Sequence, residues 1–130
     1  MLDLRYREAW LAGAFWLALL ITVGSLLPGP VVATVHVWDK LEHGSAYAAL
    51  TLWVAGLEPR AHAWRAALLT VALGGLLEVA QGLLTTTRLF DPADLVANAS
   101  GAATGLLIAW FGAAGWSARV EAWLAAREGG

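Results

Sequence analysis

Apolar residues fall into four long runs separated by short polar breaks. The runs cover residues 9–27, 39–57 (once its charged first turns are passed), 64–84 and 92–116. Each is close to the roughly 20 residues that an α-helix rising ~1.5 Å per residue needs to cross a hydrocarbon core. The breaks are chemically marked. Pro28-Gly29-Pro30 stops the first run, because proline lacks a backbone donor and restricts the residue before it. Residues 31–38 are an apolar connector holding His36, too short to span and expected at the interface with Trp38 at headgroup depth. Glu58-Pro59-Arg60-Ala61-His62-Ala63 is a polar turn, and residues 85–90 form the next loop. Asp91-Pro92 is a start signal: aspartate at the N-cap and proline at the first helical position, with Asp94 in the first turn where the helix dipole favours an anion.

Residues 117–130 form one short amphipathic helix, with Val120, Trp123 and Leu124 on one face and Arg119, Glu121, Arg127 and Glu128 around it. It is expected to lie on a membrane surface. The expected fold is therefore all-α: a polytopic transmembrane four-helix bundle in a single domain, 1–130, with an interfacial tail and with neighbouring helices antiparallel because the loops are short.

The third run departs from the simple pattern. Past Arg65 it is apolar except for Thr70, Glu78 and Gln81. The carboxylate and the amide are three residues apart and so share a face. A charge at mid-bilayer costs roughly 2.5–3.5 kcal/mol on insertion scales, so such a residue faces a polar cavity or a partner.

Composition strengthens the membrane reading. Apolar residues make up 59% of the chain and mean hydropathy is +0.64, more apolar surface than a soluble domain of this size covers. A net charge of −2 with no basic run argues against a nucleic-acid partner. The absence of cysteine excludes disulfides and thiolate metal sites. The first run follows Arg5 and Arg7 as a signal peptide would, but it exceeds the usual h-region of ~7–15 residues and three more runs follow, so it reads as a retained first span. Arg5, Arg7, Arg60, Arg65, Arg119 and Arg127 fall at the N-terminus, the second loop and the C-terminus, with only Lys40 and Arg88 on the other side. This imbalance places both termini in the cytoplasm and the first and third loops outside.

That orientation puts the minority charges at one membrane level. On the second helix Asp39, His43 and Tyr47 share a face at i, i+4, i+8, and on the fourth Asp94, Asn98, Gly101 and Gly105 do so. Gly101-x-x-x-Gly105 lets another helix approach closely, and Gly74 shares the face of Glu78 and Gln81. The three faces are expected to converge, glycines packing below and a polar pocket opening above. The pocket would hold Asp39, Glu78, Asp91 and Asp94, the cations Lys40 and Arg88, His43, and the amides Gln81 and Asn98. Lys40 and Arg88 suit a phosphate or carboxylate ligand. His43 with Asp39 one turn away can act as an oriented acid/base, and Glu78 can hold a proton once desolvated. His43, Glu78 and Asp94 alternatively suit a divalent metal through N/O ligation, a weaker reading of the same spacing. A structural alternative pairs Lys40 and Arg88 with Asp39 and Asp91, makes Asp91 simply an N-cap and Tyr47 an interfacial residue, and has Glu78 and Gln81 satisfied by Asn98. Exposed small-residue faces permit a homo-oligomer without demanding one.

The ordered set Ser25-Leu26-Leu27-Pro28, Asp39-Lys40-x-x-His43-x-x-x-Tyr47, Glu78-x-x-Gln81 and Arg88-x-x-Asp91-x-x-Asp94-x-x-x-Asn98-x-x-Gly101-x-x-x-Gly105 resembles the VanZ-like family over most of the chain. The resemblance implies a small protein of the bacterial cytoplasmic membrane, in a family whose founding member is associated with low-level resistance to teicoplanin. It supplies no reaction. The function expected is binding of an anionic or zwitterionic lipid headgroup or a lipid-linked cell-envelope precursor. A hydrolase or transferase would use Lys40 and Arg88 to hold the anion, Glu78 or His43 to move the proton, and Asp94 and Asn98 to orient the reacting parts; Gln81, Asp91 and Tyr47 complete the binding set. The alternatives are a non-catalytic binding or shielding protein and, less economically, a small transporter.

Overall fold

A computed structural model describes residues 1–27, 36–84 and 92–129, with the side chains of residues 36–39 outside the description. The described chain is helical, with no strand among the described residues: α1 (Arg7–Leu26), α2 (His36–Gly56), a 3-10 turn (Arg60–His62), α3 (Trp64–Leu84), α4 (Pro92–Ile108), a π-helical turn (Ala109–Ala113) and α5 (Trp116–Glu128). Three stretches, Arg7–Leu26, Arg60–Leu84 and Pro92–Ala113, are long and apolar enough to cross a membrane. α2 matches them in length at 21 residues, but Asp39, Lys40 and Glu42 near its start dilute its hydropathy.

The third run has the expected bounds. The fourth differs: its α-helix ends at Ile108 rather than running on to residue 116. Gly112 (φ 150°) and Gly115 (φ 66°) adopt left-handed backbone that side chains resist, and the chain turns there into α5. The second helix begins earlier than expected, at His36, so the end of the apolar connector is its first turn. The rest of that connector, and the Asp91 N-cap, lie outside the described residues.

Large apolar side chains point outward: Leu83 is 78% and Phe111 85% exposed. The interior is mostly small or polar, with Ala55, Ala63, Ala66 and Ala109 packed together. This is the arrangement suited to lipid, where small residues let backbones approach and outward leucines meet acyl chains.

α2 and α4 make the most extensive helix contact. A Cβ built on Gly101 would lie 2.1 Å from the Gly44 carbonyl oxygen, and one on Gly105 would lie 2.5 Å from that of Ala48. The register rises together along both helices, so α2 and α4 run parallel. α3 packs on both. α1 is more peripheral and buries only Ser25.

Candidate functional site

The polar side chains of three helices meet at one end of the molecule. Tyr47 is 1% exposed, Glu78 and Gln81 2%, Asn98 3% and Asp94 8%, values that place all of them inside the protein. The meeting point is visible at Gly74 on α3. A Cβ there would lie 2.9 Å from the Tyr47 ring of α2 and 3.3 Å from Asn98 Cβ of α4. Glycine is what allows the tyrosine and the asparagine to close over α3 at that level. Glu78, one turn further along, and Asp94 both act electrostatically on the Tyr47 hydroxyl.

The polar groups are linked across helices. Lys40 Nζ pairs with Asp94 Oδ1, joining the second turn of α2 to the first turn of α4. Gln81 Nε2 donates to the backbone carbonyl of Ser25 at 2.7 Å, tying α3 to the end of α1. Asn98 Oδ1 is enclosed and accepts no hydrogen bond among the described residues. A buried acceptor in that state costs roughly 1–3 kcal/mol.

Of the residues singled out in the sequence, the structure thus brings Lys40, Tyr47, Glu78, Gln81, Asp94 and Asn98 to one region. His43 faces an adjacent cleft. Asp39 lies in the first turn of α2 with its side chain outside the description; Arg88 and Asp91 are outside it altogether. Lys40 pairs with Asp94 on another helix, and the Asp39 side chain that the structural alternative paired with it lies outside the description. The parallel α2–α4 register sets Lys40 beside the first turn of α4. His43, Glu78 and Asp94 do not gather as a metal-binding set; among the described residues no such group of three occurs.

Two contributors were not foreseen. Ser25 enters through its carbonyl, which no side-chain pattern signals. Gly44 is the surface on which Gly101 packs, and Gly44-x-x-x-Ala48 opposite Gly101-x-x-x-Gly105 was a readable small-residue pair.

Beside this set lies a cleft of about 310 Å³ between α1 and α2, with Leu17, Leu20, Ile21, Gly24 and Ser25 on one wall and Glu42, His43, Ala46, Tyr47 and Ala49 on the other. Tyr47 belongs to both cleft and cluster.

The opposite end is aromatic. Trp10, Trp53 and Trp116 form a mutual cluster with ring centroids 5.1–5.8 Å apart. Glu121 of α5 accepts from the backbone N–H of Arg5 (2.7 Å), that of Tyr6 (2.8 Å) and the Trp10 indole (2.8 Å). α1 has no side-chain cap of its own, so the carboxylate of another helix serves as one. Met1 pairs with Glu58 and Arg5 with Glu128, and Ser117 Oγ donates to the Gly56 carbonyl. α5 is thus docked on the N-terminus. Partial desolvation pushes the Glu121 carboxyl up, but hydrogen bonds from Tyr6, Trp10 and Arg5, with the Arg5 charge, together outweigh it and hold it below the ordinary 4.5.

Compared with protein-family models, with curated proteins and with solved structures, the chain matches none.

Proposed function

We propose that the chain is a four-span protein of a bacterial cytoplasmic membrane, VanZ-like, with both termini cytoplasmic, and that its buried polar set binds a lipid headgroup or lipid-linked envelope precursor from the outer leaflet. The observation that carries this reading is the burial of Tyr47, Glu78, Gln81, Asp94 and Asn98 on three helices at one end, with an acceptor on Asn98 that no described group meets. Intramembrane ionisable groups are costly to keep and mark binding or proton-transfer sites. The orientation is supported by the basic residues: the N-terminus, the turn after α2 and α5, which carry most of them, meet at the end remote from the cluster. The class of reaction, if any, is hydrolysis or transfer on the headgroup, with Glu78 or His43 moving the proton.

A second reading, a non-catalytic binding or shielding protein, draws on the Lys40–Asp94 pair and the Gln81–Ser25 bond, which serve as glue between helices. Glu78→Gln and His43→Asn separate the two. Both are expected to fold. Retained headgroup binding, followed by native mass spectrometry, with loss of a resistance or lipid-turnover phenotype supports catalysis. Retention of the phenotype in both variants leaves the binding reading, and misfolding of both in detergent leaves only a structural cluster.

A further inference from the structure

We propose that the cleft between α1 and α2 seats one acyl chain of a phospholipid whose headgroup reaches the buried polar set past Tyr47. This rests on the headgroup reading above and adds the part of the ligand that reading leaves unassigned.

The cleft exists because side chains are small where the helices face one another: Gly24 on α1, Ala46 and Ala49 on α2. A glycine inside a helix costs about 0.5–1 kcal/mol relative to alanine. Gly101 and Gly105 return that cost as close backbone approach, but at Gly24 a Cβ would meet nothing within 4 Å. Gly24 is not needed for packing; what it leaves is space.

The lining is graded along the helix axis. Leu17, Leu20, Ile21 and Ala49 are apolar, Ser25, Glu42 and His43 lie at the end where the polar cluster sits, and Ala46 and Tyr47 come between. A chain with a polar head has that same grading. An apolar cavity of ~150 Å³ holds benzene, so about 310 Å³ accommodates roughly a dozen carbon atoms. α1 is itself long and apolar enough to span a membrane and exposes Leu20, which also lines the cleft. A cleft at such a helix opens towards acyl chains.

The test uses the full chain in amphipol and lysophosphatidylglycerols of about twelve and about six carbons, with glycerophosphoglycerol as the chainless headgroup. Each methylene buried is worth roughly a factor of four in affinity. The long chain should therefore bind at least about tenfold tighter than the short one. Ala46→Leu, which fills the cleft, should bring that ratio close to one. A diazirine-bearing long-chain lysolipid on the unmodified protein should label the cleft walls, notably Leu20, Ile21 and Ala46. It keeps the proposal testable if Ala46→Leu fails to fold. Labelling confined to the outward face of α3, at Leu68, Leu69 and Leu76, overturns the proposal. So does headgroup binding that is lost in Asn98→Ala but shows no chain-length dependence; that outcome leaves the headgroup reading standing. Chain-dependent binding abolished by Ala46→Leu yet unchanged in Asn98→Ala and Glu78→Gln supports the cleft and removes the headgroup reading.

Discussion

At the polar end of the helices, Lys40, Tyr47, Glu78, Gln81, Asp94 and Asn98 meet, with an Asn98 acceptor that has no partner among the described residues and a cleft alongside. At the other end, Trp10, Trp53 and Trp116 interlock and Glu121 accepts from the N–H groups of Arg5, Tyr6 and Trp10. The difference lies in how the elements are joined. The aromatic end closes on itself: α5 and the N-terminus supply one another's missing partners. The polar end is joined across helices by the Lys40–Asp94 pair and the Gln81–Ser25 bond, and beside it lies the cleft between α1 and α2. α1 shows the contrast in a single element, being clasped at its start by Glu121 and tied near its end by the Gln81–Ser25 bond, with the cleft between.

The comparison is broken most severely by disturbing the α2–α4 contact on which both ends depend. Gly101→Ala places a methyl group 2.1 Å from the Gly44 carbonyl oxygen, against backbone that cannot rotate away. Destabilisation of about 3 kcal/mol or more is expected, at the top of the usual range for overpacking, measurable as loss of the folded species in denaturant titration. Next is Lys40→Met, which leaves Asp94 buried without this partner. Removing one member of a buried pair costs ~3–5 kcal/mol, and a fraction of that is expected here because a quarter of the Lys40 side chain is exposed. Restoration by the double exchange Lys40→Asp with Asp94→Lys would show that the pair itself carries the effect; failure to restore would give Asp94 another role.

Smaller is the response of the aromatic end to acid. The Glu121 carboxyl lies below 4.5 in the folded protein. Its contribution is therefore complete above 4.5 and is lost as pH falls through the lower folded value. Tryptophan emission is expected to shift to the red below about pH 4.5 as Trp10 loses its acceptor, and Glu121→Ala should show that shift already at neutral pH. An unchanged spectrum in that variant would mean the clasp is not maintained in solution. The smallest effect has the opposite sign: Gly24→Ala is expected to stabilise by about 0.5–1 kcal/mol, since its methyl enters open space. A loss of stability there would mean that α1 packs more closely on α2 than the cleft allows.

Much of this was legible beforehand. The 3.6-residue spacing of Glu78 with Gln81, and of Asp94 with Asn98, Gly101 and Gly105, announced inward faces, because lipid penalises polar groups that point outward. The glycine pair announced a close helix contact but not its partner. The clasp was invisible: Glu121 read as one charge on an amphipathic tail expected on the membrane surface, and nothing local links it to Arg5 across 116 positions. The end of α4 was also misplaced, because an apolar run continues through Gly112 and Gly115, and only the backbone reveals their positive φ.

Periodicity and composition by themselves determined that the chain is helical and which faces carry polar groups; of the four spans they led one to expect, three helices among the described residues are long and apolar enough to cross a membrane. Those are local properties, since each follows from side chains a few residues apart on one helix. The tertiary structure decided which polar group meets which. Lys40 found Asp94, Gln81 found the Ser25 carbonyl, and a cleft was left at Gly24. Pairings and voids depend on the register and depth at which separate helices settle, and that is set by backbone contacts such as Gly44 on Gly101, which no single helix encodes.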